Sequence, residues 1–149
     1  MTYRIRKADL TNDDDLDHLR DIHILTFDND APMPAFGTEY EDAAWWLVYD
    51  RNLPEHPMGF AGVCKSTAHP KAAYFWRVGV LPEYAGLGLG RRLLRTAERH
   101  ARAAGYSWMI SDTKDAVRSA NNFIKSGYLM FEPEEPWSFA GACYFRKKL

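Results

Sequence analysis

Thiol chemistry is nearly absent from this sequence. Its two cysteines, Cys64 and Cys143, lie far apart, outside any CxxC and with no histidine at zinc-ligand spacing. That excludes a disulfide framework and a cysteine-ligated metal, and both residues are expected as buried thiols in a reducing compartment. No apolar run approaches the ~20 residues needed to cross a bilayer, and Met1-Thr2-Tyr3-Arg4-Ile5-Arg6-Lys7 lacks the apolar stretch of a secretion signal. A cytoplasmic protein without membrane contact is expected. The histidines, His18, His23, His56, His69 and His100, show no HExxH or other ligand spacing, so no metal is assigned. An excess of one charge is missing too: 19 Lys+Arg stand against 20 Asp+Glu, a balance that argues against a nucleic-acid partner.

What is present fits an ordinary globular protein. At 46% hydrophobic and 26% charged, residues 1–149 are expected to form a single domain around one core. Charge is unevenly spread: residues 1–60 carry a net −8 and residues 61–149 a net +7. An acidic region suits a cationic amine and a basic one suits phosphates, unless folding interleaves the two and cancels their fields.

Thr2 to Lys7 alternates as a strand, and the Asp13-Asp14-Asp15 run starts a helix whose Leu16, Leu19, His23 and Phe27 recur at helical spacing. Asp28 to Thr38 is a proline-punctuated loop, and Glu39 to Tyr49 reads as a second helix with Tyr40, Ala43, Ala44, Leu47 and Val48 on one face. Pro54 and Pro57 read as breaks before a hairpin formed by Met58–Cys64 and Tyr74–Val80. A helix follows Gly86–Gly90 and is closed by Gly105. Ser107–Ser111, Tyr128–Phe131 and Ala142–Arg146 read as strands, with a helix over Ala116–Ser126 ended by Gly127. The order implies an α/β fold, a mixed sheet flanked by helices.

The informative unit is strand, glycine turn, helix: Val78-Gly79-Val80-Leu81-Pro82-Glu83-Tyr84-Ala85-Gly86-Leu87-Gly88-Leu89-Gly90-Arg91-Arg92. Glycines let a ligand approach the backbone, and a helix start aims N–H groups and the positive dipole end at an anion. Such a turn suits a phosphate, or simply packs helix on strand. A Walker loop is ruled out because Arg91-Arg92 replace Lys-Ser/Thr, and a dinucleotide fingerprint is poorly served by G-x-G-x-G despite Asp112 downstream.

The segment resembles the cofactor motif of the GCN5-related N-acetyltransferases, V-x-P-x-x-[Q/R]-x-x-G-x-G. Ser119-Ala120-Asn121-Asn122-Phe123-Ile124-Lys125-Ser126-Gly127-Tyr128 is similar to a later helix of that family. The resemblance implies a mostly antiparallel twisted sheet with splayed central strands, an acyl-CoA acyltransferase fold. It implies that backbone groups of Val78, Gly79 and Val80 pair with pantetheine, and that N–H groups of Gly86, Leu87, Gly88, Leu89, Gly90 and Arg91 hold the pyrophosphate, with Ser119 contacting the cofactor. The implied activity is acetyl transfer from acetyl-CoA to a primary amine by direct attack in a ternary complex. Three departures stand out: Ala85 at the Gln/Arg position, Phe123 where many members carry a tyrosine acid, and Ala116 in place of a frequent asparagine. The alternatives are a non-catalytic acyl-CoA-binding regulatory module and a dinucleotide-binding protein.

Asp112 and Glu83 are candidate bases, and Tyr128, Tyr144 or solvent candidate acids; Asp112 and Tyr128 are taken as the catalytic pair. Asp28, Asp30, Glu39 and Glu41, with Trp45 or Trp137 as a wall, would face the acceptor, a small-molecule or peptide amine. Exposed strands and tryptophans point to a homodimer.

Overall fold

The computed structural model describes residues 2–27, 32–36 and 40–149. β1 (Tyr3–Lys7) leads into α1 (Asp13–Thr26), whose N-cap is Asn12: its side chain accepts the N–H groups of Asp14 and Asp15 at 2.9 and 3.1 Å. Asp15 turns back to Arg6, which grips both its oxygens at 2.6 and 2.7 Å, and a third bond from the Asp9 N–H fixes the entry to the helix.

β2 (Ala44–Asp50), β3 (Leu53–Lys65) and β4 (Ala72–Val80) form an antiparallel meander. A 3₁₀ turn (Pro82–Tyr84) and α2 (Leu89–Ala103) follow, then β5 (Trp108–Thr113), α3 (Val117–Lys125), β6 (Leu129–Phe131) and β7 (Cys143–Lys148). The seven strands make one sheet in the order β1-β2-β3-β4-β5-β7-β6, and only the β4/β5 pair is parallel. The expected mixed, mostly antiparallel sheet flanked by helices is therefore the observed architecture.

The expected second helix is corrected. Residues 44–50 form β2, with Ala44 to Tyr49 all buried: Trp45, Leu47 and Tyr49 pack in the cluster under α1, while Ala44, Trp46 and Val48 pack in the cluster under α2. A strand buried on both faces has no alternation to read, and its continuous apolar run also satisfies a helical period. The breaks at Pro54 and Pro57 are corrected as well. β3 runs through both, and the ladder to β2 accommodates them where its register shifts, with Tyr49 opposite Pro57 and Asp50 opposite Leu53. Cys64 is buried and its thiol pKa is pushed up to about 12 by burial, but Cys143 is only half-buried. At Gly62, a Cβ would collide with the Trp45 ring, so the missing side chain is what lets that indole lie across β3.

α1 seats on β4 through His23. Its ring is 3% exposed, stacks on Phe27 with centroids 4.8 Å apart, and meets Arg77 Nη1 at 2.7 Å through Nε2. Burial first, and the Arg77 charge second, hold the His23 pKa below its ordinary 6.5, so Nε2 accepts the guanidinium N–H. The unfolded chain then binds this proton more readily than the folded one. The contribution is complete above about pH 6.5 and is lost as pH falls through that value toward the lower folded pKa. Thermal unfolding is expected to show Tm falling from about pH 7 to about pH 5. His23→Gln, whose amide oxygen can still accept from Arg77, should show a shallower fall; a parallel decline in wild type and variant would contradict this role.

Candidate functional site

The parallel β4/β5 ladder is short: Ala72, Ala73 and Tyr74 face Trp108, Met109 and Ile110, and there it stops. One residue further on, the buried Ser111 hydroxyl donates to the Phe75 carbonyl at 2.7 Å, the last link before the strands part. On the other edge of β4 the register to β3 slips, with Gly62 opposite Arg77 and Val63 opposite Phe75. Trp76 is thus the extra residue of a bulge, the device by which a strand bends away from its neighbour. The expected splay is present.

α2 and α3 close over the opened face. Between them and β4 lies a cleft of about 130 Å³, with Phe75, Val78 and Val80 from the strand and Gly90 and Leu94 from α2. Arg118, Ser119, Asn122 and Phe123 of α3 complete its wall, so it combines an apolar slot with one cation and two neutral polar groups, and no lining residue is acidic. The size suits a slender chain entering end-on rather than an enclosed bulky ligand.

The glycine turn shapes the approach. Gly86 and Gly88 adopt φ of +83° and +75°, and Gly88 caps α2 without any side-chain hydrogen bond, leaving the first N–H groups of that helix free for an anion. A Cβ at either glycine would meet nothing within 4 Å, so the turn is bare toward solvent. Gly90 has ordinary helical backbone, and a Cβ there would point at Asn122 across the cleft at 3.6 Å. Arg91 is pinned by its Nη2 to the Lys125 carbonyl at 3.2 Å, while its buried Nε has no hydrogen-bond partner among the described residues. A buried unpaired guanidinium nitrogen beside an uncapped helix start is a fit for an anionic group.

The structure sorts the sequence-derived residues. Val78, Val80, Gly90 and Ser119 line the cleft together. Gly79 faces the other way: a Cβ there would strike Thr26 of α1 and the Phe60 ring, so its smallness serves the approach of α1, and the residue itself is buried outside the cleft lining. Leu87 is exposed, and Leu89 is a core side chain that can contribute only its backbone. Tyr128 is 1% exposed, with its hydroxyl donating to Glu98 at 3.4 Å and its ring against Phe123. It is not among the cleft-lining residues. Burial first, then the Glu98 charge, raise its pKa.

Asp112 stands on the opposite sheet face, beside the fork. Its Oδ1 accepts the Tyr74 hydroxyl at 2.5 Å and the Trp137 indole N–H at 3.1 Å. Burial, and then the charge of Asp112, raise the Tyr74 pKa, so the phenol stays protonated and donating. Trp137 leans on Tyr144 at 4.5 Å between centroids, and the Tyr144 hydroxyl accepts the Ser138 N–H. Asp112, Tyr74, Tyr144 and Trp137 thus form one cluster, whereas Glu83 lies exposed in the 3₁₀ turn. Trp45 is a core residue and Glu41 pairs with Lys65 at 3.1 Å; Asp28, Asp30 and Glu39 lie outside the described residues. Sequence reasoning missed Tyr74, Arg118 and Asn122. The latter two share a helical face with Ser119 and Phe123, a spacing that could have revealed them, but Tyr74 meets Asp112 only through the inter-strand register. No group of three or more His, Cys, Asp or Glu that could hold a metal occurs among the described residues, and no described helix is long and apolar enough to cross a membrane.

Solved structures share this architecture over the whole chain. The GNAT domain of S. lividans PAT is 17% identical with a TM-score of 0.79, covering 100% of this chain and 92% of that one. A Bacillus subtilis acetyltransferase in complex with CoA is 16% identical with a TM-score of 0.74, and the Escherichia coli ribosomal-protein-S18-alanine N-acetyltransferase is 15% identical with a TM-score of 0.73; each covers 99% of this chain, and 99% and 94% of its own. At such identities the likeness is one of fold. No protein of curated function matches the sequence. The model of the Acetyltransferase (GNAT) family matches residues 9–128, most of the chain and both the glycine turn and α3. The chain belongs to the GNAT acetyltransferase family.

Proposed function

We propose that this chain is an acetyl-CoA-dependent N-acetyltransferase, working on a primary amine by direct attack in a ternary complex. Family membership supports acyl-CoA-dependent acyl transfer in general. The observation that carries the finer reading is the cleft itself, walled by Val78 and Val80 and entered past the uncapped start of α2.

Bound acetyl-CoA would supply an activated thioester. The N–H groups from Gly86 to Arg91, with the Arg91 guanidinium, would hold its diphosphate, while the β4 edge at Val78 to Val80, past the end of the ladder to β5, would align the pantetheine as an added strand. Ser119, Asn122 and Arg118 supply the polar contacts of the opposite wall. Holding two reactants in one geometry is the main source of rate in such a reaction. Asp112, held by Tyr74 and Trp137 beside the fork, is assigned to take the proton of the amine. Phe123 fills the cleft wall with a ring stacked on Phe145, so no phenol is offered at that place, and Tyr128 is turned to Glu98; protonation of the departing thiolate is therefore assigned to solvent. The acceptor is taken to be a small-molecule or peptide amine, and residues 1–149 to act as a single cytoplasmic domain.

Two substitutions test the reading. Gly90→Glu puts a carboxylate into the cleft at a position of ordinary helical φ. It should weaken acetyl-CoA binding by calorimetry at least about a hundredfold with Tm little changed; normal binding would remove the cleft assignment. Asp112→Asn should lower kcat about 10²-fold or more with acetyl-CoA affinity retained. An unchanged kcat would remove Asp112 from the mechanism, and acetyl-CoA binding without thiol release across a broad amine panel would favour a non-catalytic acyl-CoA-binding module.

A further inference from the structure

The charge asymmetry of the sequence is only partly cancelled by folding. Among the described residues, the one ion pair joining the acidic first 60 residues to the basic remainder is Lys65 with Glu41; Arg6 and Arg20 pair within the first part, and Lys147 with Glu98 within the second. α2 alone carries five arginines. Arg92, Arg95 and Arg99 are exposed and have no ion pair among the described residues.

These three arginines are gathered around a groove of about 340 Å³, whose other walls are Tyr3 and Ile5 of β1 and Thr96 of α2. The guanidinium of Arg92 lies over the Tyr3 ring at 4.7 Å, and Arg99 Nη2 donates to Thr96 Oγ1 at 3.2 Å, so two of the three are held in place. Like charges three and four residues apart on one helix repel one another, and no carboxylate among the described residues forms an ion pair with them. Successive side chains turn by 100° around a helix, which sets these residues roughly opposite Gly90 and Leu94, the α2 residues of the acyl-CoA cleft. Phosphates bound at the glycine turn therefore do not account for them.

We propose that this groove is a second anion site, taking a small phosphate-bearing ligand such as a nucleoside polyphosphate or a free phosphate chain. From Arg92 to Arg99 the helix rises about 10 Å, a span that a chain of two or three phosphates can bridge, and guanidinium forks match phosphate oxygens pairwise. The volume falls in the range of small-ligand sites, and the lining is mainly polar, with Ile5 beside the Tyr3 ring that Arg92 covers.

The test is calorimetric titration of the full chain with inorganic tripolyphosphate and, separately, with ADP, each with and without saturating CoA, alongside thermal shift. Binding should persist with CoA present, survive Gly90→Glu, and weaken about tenfold in Arg95→Glu and again in Arg95→Glu/Arg99→Glu. Tighter binding of ADP would identify a nucleotide ligand, and equal binding a phosphate chain alone. The inference fails if neither probe binds at low salt, if CoA displaces both, or if Arg95→Glu leaves their affinity unchanged. Loss of CoA binding in Gly90→Glu would leave this result untouched, so the two sites fail separately.

Discussion

The structure turns on the place where β4 and β5 let go of each other. Three residue pairs of parallel ladder and the bond from Ser111 to the Phe75 carbonyl hold the two halves of the sheet together, and beyond them the strands diverge. A buried hydroxyl with a single satisfied bond is a firm stop, because opening the fork further would strand a polar group in the core. The bulge at Trp76 bends β4 from its other side. What a continuous sheet would have spent on ladder hydrogen bonds remains available to a ligand, and α2 and α3 wall that gap instead of closing it.

The rest of the molecule serves this opening. α2 fastens its inner face to the sheet through Leu89, Leu93, Ala97 and Ala101, so the uncapped N-terminus is held at the cleft mouth by core packing rather than by a capping side chain. α1 is brought close to β4 by the absence of a side chain at Gly79 and is held there by His23 and Arg77. On the same sheet face, Trp137 and Tyr74 converge on one oxygen of Asp112. The two faces of the fork thus differ in chemistry: one is a slot with cations at its mouth, the other an aromatic cluster around a carboxylate.

The sequence disclosed this site unevenly, for physical reasons. The glycine turn is legible because it needs glycines at positive φ at Gly86 and Gly88, a backbone demand that appears directly as residue type. α1 and α2 are legible because each buries one face, which imposes a helical period. β2 is not, since Trp45 and Trp46 are buried on opposite faces and leave no polar positions to mark the period. Nor could Pro54 and Pro57 be read correctly, because whether a proline ends a strand depends on the register of its neighbour. Tyr128 shows the same limit at the site: its type suits an acid, but its hydroxyl is directed to Glu98 by α2, a contact thirty residues away in sequence.

If the gap beside β4 and the start of α2 receive one extended ligand, backbone amide NMR during titration with acetyl-CoA will report both places at once. The amides of Val78 and Val80 and those from Gly88 to Arg91 should shift together with one affinity and become protected from hydrogen exchange, while those of Tyr3 and Ile5 stay still. Shifts confined to the outer face of α2, or binding that leaves the β4 amides unmoved, would mean that the ligand lies elsewhere.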